Sequence, residues 1–484
     1  MHINGLYILK TLGLILLFET VFMLMATGVA FIYGGEDEAH LLTSSVIMCV
    51  SGLFLVLLGR RADESKAGIR EGILTVTLIW LTLSFFGTLP FLIGGYLDNL
   101  TDAFLETMSG FTTTGATAFK DVERLPHGIL FWRSLMQWQG GIGMIVFTVA
   151  LLPMFGGNAS QLVEAETTGF AFDRFRPRVT QVAKRISSIY LMLTLIFTFL
   201  LWIGPMDLFD AINHAMTGIS TGGYSTKNAS IAYWDSAYTE YVMIVCMIMA
   251  SMKLTLFFFA LQGDFRRLTN DEETRWFFVY YLIFIVITVA WLLIGGFETG
   301  IEHSIRKGAF QVISLATTSG FLASDFISWG QFYWLIALFL MVVCGCCGST
   351  SGGLKMGRAM ILMKNMLNEF RKQTHPAAIL PVRFNGRAVS KDIVHNVHVF
   401  LMVYIMLIGF SWLFLLVNGL SFEESIGTAI SAISNVGLSL GSLSEGNMSS
   451  ISDVSKWYVC FIMLVGRLEI FTVLTVLLPG FWKR

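Results

Sequence analysis

Apolar runs of about 20 residues recur along the chain, separated by polar connectors. Roughly 20 such residues in a helix cross a hydrocarbon core of ~30 Å. Ten runs qualify as spanning helices, near 5–33, 42–59, 72–96, 128–152, 187–204, 237–262, 276–297, 329–344 with a broken continuation, 396–418 and 457–480. The first is too long for a signal-peptide core, and no A-x-A-like site follows it, so it reads as a retained span. The pattern predicts an all-α, multi-pass membrane protein.

The last eight runs pair off, and a semi-polar segment lies between the members of each pair. The segments are "DAFLETMSGFTTTGATAF", "DAINHAMTGISTGGYSTK", "KGAFQVISLATTSGFLAS" and "EESIGTAISAISNVGLSL". They align without gaps, placing Gly115, Gly223, Gly320 and Gly437 in one column at separations of 108, 97 and 117 residues. A repeat of that period organises the chain. It predicts two N-terminal helices at 1–70, followed by helix–pore loop–helix repeats at 71–186, 187–275, 276–395 and 396–484. The four repeats would stand pseudo-symmetrically around one ion pore.

Each segment starts as a short helix and ends in hydroxyl or amide residues and a glycine. Twelve or so residues cannot cross a bilayer, so each should enter from one side and return. Non-helical backbone at membrane depth is tolerated where it lines water or is buried in protein. Rings of backbone carbonyls can replace the water a cation loses, and glycine gives the backbone freedom to turn them toward an axis. The helix C-termini would add partial negative charge. The candidate cation ligands are therefore Thr112, Thr113, Thr114 and Gly115; Ser220, Thr221, Gly222 and Gly223; Thr317, Thr318, Ser319 and Gly320; and Ser434, Asn435, Val436 and Gly437. Hydroxyls are expected to supply further ligands at the inner edge. In the second segment, Thr221, Gly222, Gly223 and Tyr224 match T-V-G-Y of the potassium-channel filter, with glycine for valine. Helix packing by small residues explains one such segment as well, but not four in register.

Composition agrees: 55% of the 484 residues are hydrophobic and 13% charged, with mean hydropathy +0.69. The net charge of −1 matters less than its distribution. With the N-terminus in the cytoplasm, 23 of the 32 Lys and Arg fall on the cytoplasmic side and seven on the other, including Arg133, Arg306, Lys307 and Lys456. That bias predicts both termini inside. Six cysteines in or beside apolar runs read as buried free thiols.

"VVCGCCGSTSGGLKMGR" interrupts the third repeat with Gly345, Gly348, Gly352, Gly353, Gly357 and the run Ser349–Thr350–Ser351. These are poor helix formers, and a break here would sit beneath the filter. The spacing does not fit a P-loop. Cys344, Cys346 and Cys347 lack an evident fourth metal ligand. Arg467 is a cation within a span, which invites a functional reading by default; Glu469, two residues on, would face elsewhere on a helix. Lys253 reads either as a second cation near the pathway or as a snorkelling side chain. His395 and His398 fit a solvated face better than a metal site. Asp325 either attracts cations to the outer mouth or is simply solvated, and Glu19 has no assigned role. The basic stretch "NEFRKQTHPAAILPVRFNGRAVSK" could dock a soluble regulator or anionic lipid headgroups.

Together with "FWRSLMQWQGGIGMIVF", "CGCCGSTSGGLKMGR" and "GRLEIFTVL", the four repeats and their glycines make the chain resemble the TrkH/TrkG/KtrB superfamily of potassium transporters over its whole length. The two extra N-terminal spans favour the Trk branch. The resemblance implies potassium uptake across the inner membrane of a bacterium, with K⁺ bound at the filter residues and one pore per protomer of a homodimer. It implies a gating loop comprising Gly345, Cys346, Cys347, Gly348, Ser349, Thr350, Ser351, Gly352 and Gly353, with Arg467 lining the cavity beside it. It also implies control by a cytoplasmic nucleotide-binding ring of the TrkA type. The chain carries no nucleotide-binding fingerprint, so nucleotide control would come through that partner. Nucleic acid is not an expected partner. Sodium or ammonium transport on the same scaffold is the alternative. A membrane enzyme fits less well, because no nucleophile, base and orienting group share a recognisable spacing.

Overall fold

The computed structural model describes residues 3–62, 68–151, 179–298 and 300–483. Lys66, Arg174, Arg176, Arg178 and Arg484, which enter the charge count, lie outside them. Among the described residues, six helices are individually long and apolar enough to cross a membrane: Gly5–Tyr33, Asp37–Leu58, Ile69–Ile93, Ala183–Ile203, Glu272–Gly295 and Lys391–Val417. His127–Leu151 and Gln331–Val342 stand at two more of the expected spans.

The remaining two spans are not straight, contrary to the reading of their apolar runs. Ala237–Ser251 bends by 100° into Leu254–Leu261, and Asp453–Arg467 bends by 119° into Phe471–Leu477. At the first break Met252 and Lys253 are extended, and Lys253 is drawn into ion pairs with Asp271 and Glu273. At the second, Glu469 and Ile470 take φ of 60° and 52°, and Glu469 is held by Arg358. Hydropathy does not register either cause.

Each repeat has a leading helix, a short pore helix and a trailing helix. The pore helices are Leu100–Phe111, Leu208–Ile219, Ile301–Ala316 and Phe422–Ser434. Capping begins them: Asn99 and Asp207 each accept a backbone N–H three residues on at 2.7 Å. Ser421 and Glu424 form a reciprocal capping box. The trailing helices are His127–Leu151, Ala237–Ser251, Gln331–Val342 and Asp453–Arg467.

The first two helices form a hairpin about Gly34, which takes φ of 64°. They approach so closely that a Cβ on Gly13 would lie 2.7 Å from the Gly52 carbonyl oxygen, as small residues permit in membrane helix pairs. Asp37 accepts the Ile129 N–H at 3.0 Å, tying this hairpin to the trailing helix of the first repeat. One apolar core joins the N-terminal hairpin chiefly to the first and fourth repeats; another joins chiefly the second and third, with Ile430 and Val436 of the fourth packed into it. The basic stretch folds in part into a hairpin, Arg383–Phe384 against Arg387–Ala388, seated through Val382 and Phe384 on Met360, Ile361, Ile393 and Val397.

Candidate functional site: four pore loops and the loop beneath them

The four pore helices end in the same backbone turn. Thr113, Thr221, Thr318 and Asn435 take φ of 52°, 53°, 60° and 56°, and the glycines two residues on take 91°, 83°, 72° and 89°. Each residue between donates its N–H to a carbonyl five residues back: Thr114 to Ser109, Gly222 to Thr217, Ser319 to Ser314 and Val436 to Ser431, at 2.8–3.0 Å. Left-handed φ is costly for non-glycine residues and persists where surroundings over-determine it. Fourfold recurrence of one strained turn marks a built feature.

The turns close into a ring. A Cβ on Gly115 would strike the carbonyl oxygen of Gly222; on Gly223, that of Ser319; on Gly320, that of Val436; and on Gly437, that of Thr114. The contacts run from first repeat to second, third, fourth and back to first. Each glycine is needed twice, for its φ and for the carbonyl packed where a side chain would stand. A cavity of about 90 Å³ lies against Gly115, Gly223 and Gly320, with Lys120, Lys227 and Glu445 among its lining residues. At this mouth Thr117 N–H donates to Gly446 O, Val122 N–H to Asn228, and Ala232 N–H to Leu322 O, linking adjacent repeats.

The hydroxyls also hold the turns, while keeping lone pairs that could face a cation. Thr112 donates back to Met108 O and pairs with Thr114; Thr317 donates back to Ile313 O and pairs with Ser319; Ser220 donates to Thr217 O. These side chains brace the turns. Thr318 Oγ1 instead meets the loop beneath, and Thr221 Oγ1, which donates to Ser220 O at 2.7 Å, also lies 3.4 Å from Thr350 Oγ1.

Buried charge braces the ring from behind. Arg133 pairs with Glu106 at 2.8 Å, and Glu106 also accepts from Thr117 Oγ1 and Ala118 N. Arg133 donates to Ser225 O and lies 4.2 Å from the Tyr224 ring centroid. Tyr224 donates its hydroxyl to Glu106 O at 2.8 Å. Lys307 and Arg306 share Glu240, and Lys456 pairs with Asp102. Arg133, Arg306, Lys307 and Lys456, counted above on the outer side, are buried and each is paired with a carboxylate. Sequence reasoning counted these cations by side but missed their pairing and their carboxylates. The available signal was charge inside segments otherwise poor in it.

Under the ring, the chain leaves the helix Gln331–Val342 and rejoins one at Met356. The ends of the break are zipped by Cys344 N–H to Leu354 O, Leu354 N–H to Val342 O and Met356 N–H to Gly345 O, each 3.0 Å. Its middle presses on the pore-helix ends. Thr350 donates to Ile219 O at 3.1 Å, Ser351 to Thr317 O at 2.8 Å, and Gly352 N–H to Thr318 Oγ1 at 2.9 Å. A Cβ on Gly352 would strike Ser434 O. The segment therefore touches the second, third and fourth repeats at once.

Arg467, 2% exposed, donates to Thr350 O and to Gly140 O, both at 2.9 Å. It does not pair with Glu469, which belongs to Arg358. Lys355, also buried, donates to Ser351 O. Glu273 holds the other flank, accepting Cys347 N–H at 2.7 Å and Gly357 N–H at 2.8 Å. The same carboxylate pairs with Lys253 at 2.8 Å, so Lys253 neither snorkels nor stands free; it is locked beside the loop.

Other candidates fall away from this centre. No group of three or more metal-ligating side chains occurs among the described residues. His398 bonds Val394 O within its own helix. Asp325 is exposed and caps the turn Phe326–Trp329. Glu19 is buried with one carboxylate oxygen lacking a hydrogen bond.

Four re-entrant turns in one ring, each carried between two membrane helices, define a multi-pass membrane protein of the pore-loop class. The chain belongs to the TrkH family, whose model is described as a cation transport protein and matches residues 41–479. It is 34% identical to the Trk system potassium uptake protein TrkH of Escherichia coli K12, over all of both chains. It is 31% identical to TrkG of the same strain, over 91% of each. The crystal structure of the potassium transporter TrkH from Vibrio parahaemolyticus matches with TM-score 0.92 and 31% identity, covering 99% of this chain and 100% of that one. The family is one of transporters, not enzymes.

Proposed function

We propose that this chain is the potassium-conducting subunit of a bacterial uptake system. The observation that carries the reading is the closed ring of glycine-to-carbonyl contacts. Carbonyl oxygens contributed by four turns replace a cation's hydration without adding fixed charge. The names of the Trk relatives, potassium uptake proteins, point to the ion. K⁺ is held at Thr112–Gly115, Ser220–Gly223, Thr317–Gly320 and Ser434–Gly437 through backbone oxygens.

The segment from Gly345 to Gly353 is the gate, and its contacts with three pore-helix ends describe a shut one. Arg467 and Lys355 place two buried cations at that level, a field that opposes cation passage. Opening then requires a partner that withdraws the loop. A cytoplasmic nucleotide-binding ring of the TrkA type, acting on a homodimer, fills that role. The excess of Lys and Arg sets both termini on the cytoplasmic side of the inner membrane.

Rubidium uptake into proteoliposomes, competed with K⁺, Na⁺ and NH₄⁺, tests the reading. Competition by K⁺ and not Na⁺ is expected once the gate is open. Equal competition by Na⁺ favours the second reading, a less selective cation transporter, which the unlike residues Thr114, Gly222, Ser319 and Val436 in one ring position also permit. A Gly115→Ser variant whose flux ratios match the wild type would sink the filter assignment.

A further inference from the structure

Gln137 lies on the trailing helix of the first repeat, yet it serves the turn of the second. Its Nε2 donates to Gly222 O at 2.7 Å, and its Oε1 accepts Tyr224 N–H at 3.0 Å. These partners fix the amide's orientation, since a carbonyl only accepts and a backbone N–H only donates. The side chain is completely buried.

The position it attends is irregular. In the first and third repeats, the residue before the filter glycine carries a hydroxyl that pairs with one two residues earlier. Thr114 pairs with Thr112 at 2.8 Å, and Ser319 with Thr317 at 2.9 Å. The second repeat keeps the earlier hydroxyl as Ser220 but has Gly222 in place of the later one. A Cβ on Gly222 would run into the carboxamide of Gln137. Gly222 and Gln137 therefore share one volume, and the carboxamide occupies the place of the missing side chain. Gly222 O is also one of the four carbonyls that close the ring. Among the described residues, it alone of those four receives a side-chain hydrogen bond.

We propose that Gln137 is a positioning residue for ion selectivity. It replaces the hydroxyl latch of the first and third repeats, fixes the direction of the Gly222 carbonyl, and takes up one of its lone pairs. The ring then offers three free oxygens and one attenuated one. This inference rests on the reading of the four turns as a cation filter. Without the two tethers, the second turn loses its fixed carbonyl and adapts to a smaller ion.

The test is rubidium uptake and its inhibition by Na⁺, measured on the full chain in native-host cells lacking other potassium uptake systems. Gln137→Ala should let Na⁺ compete about tenfold better, the size a lost hydrogen bond to a buried carbonyl carries. Gly222→Ser in that background should restore discrimination to within about twofold, because the new hydroxyl can pair with Ser220 in the vacated volume. Gly222→Ser alone, with Gln137 in place, is crowded and should lose uptake. Unchanged Na⁺ competition in Gln137→Ala, or a double variant no better than the single, would overturn the assignment. Should Gln137→Ala fail to accumulate, Gln137→Met keeps the side-chain length and packing but offers neither the donor to Gly222 O nor the acceptor for Tyr224 N–H. Wild-type Na⁺ competition in that variant overturns the assignment equally. If Gly115→Ser alters selectivity while the Gln137 variants do not, the filter stands and this inference alone fails. If wild-type cells show no rubidium uptake above cells without the chain, both fall.

Discussion

Arg467 donates to the carbonyl oxygen of Thr350 at 2.9 Å, joining the last trailing helix to the middle of the loop beneath the ring. Its other bond, to Gly140 O, roots it in the first repeat. The loop's own contacts reach the second, third and fourth repeats, so Arg467 completes the clamp on the remaining side. A hydrogen bond to a charged group is worth about 1.5–3 kcal/mol, roughly a tenfold to hundredfold bias in a two-state equilibrium. Arg467→Gln should therefore raise rubidium leak through partner-free proteoliposomes by at least about tenfold. Leak unchanged from wild type would mean that Arg467 does not hold the loop shut.

On the opposite flank, Glu273 joins Lys253 to two backbone N–H groups, those of Cys347 and Gly357. Glu273→Ala leaves those donors buried without their acceptor and strips Lys253 of one of its two carboxylates. Breaking a buried pair costs about 3–5 kcal/mol, and the lower end applies because Asp271 remains at 2.9 Å. The midpoint of thermal unfolding in detergent should fall, with recovery in Glu273→Gln, whose amide oxygen still accepts. Equal midpoints for wild type and Glu273→Ala would show that the loop does not depend on this anchor.

The ring was legible in the sequence because its requirement is local. Gly115, Gly223, Gly320 and Gly437 recur in segments short enough to align by eye. The broken helix at Gly345–Gly353 was legible for a similar reason, a cluster of helix-breaking residues in one apolar run. The bends after Ser251 and Arg467 were not, because neither break carries a cluster of helix-breaking residues: the first has no glycine or proline, and at the second Gly466 is still within the helix. They arise where Lys253 and Glu469 meet charges 18 to 111 residues away. The pairings of Glu106 with Arg133 and of Glu240 with Lys307 escaped for the same reason: each makes sense only beside a partner that folding supplies.

The glycines of the ring can be tested against one that differs only in surroundings. Gly437 and Gly263 both take positive φ, 89° and 85°. A Cβ on Gly437 strikes Thr114 O, whereas one on Gly263 meets nothing within 4 Å. Both alanine variants incur backbone strain of about 1 kcal/mol, but only Gly437→Ala must displace a carbonyl. Gly437→Ala should abolish or de-select rubidium uptake, and Gly263→Ala should leave it within about twofold. Similar losses in both would assign the requirement to backbone conformation and not to the packed carbonyl.

The cysteines offer a direct readout of the loop. Cys344, Cys346 and Cys347 are all free thiols and at most 3% exposed. Cys346 N–H donates to Ser251 O and Cys347 N–H to Glu273, so both thiols are carried by backbone fastened to neighbouring helices. A thiol reacts only when solvent and reagent reach it. In the shut protein these three should resist a water-soluble maleimide. In Arg467→Gln, Cys347 should be modified at least about tenfold faster, in step with the rise in rubidium leak, since both report one displacement. Cys460, buried in the last trailing helix away from the loop, should remain unlabelled in both and serves as the internal control. Labelling of Cys347 that rises without leak would separate movement of the loop from opening of the path. Leak that rises without labelling would place the barrier elsewhere than the segment from Gly345 to Gly353.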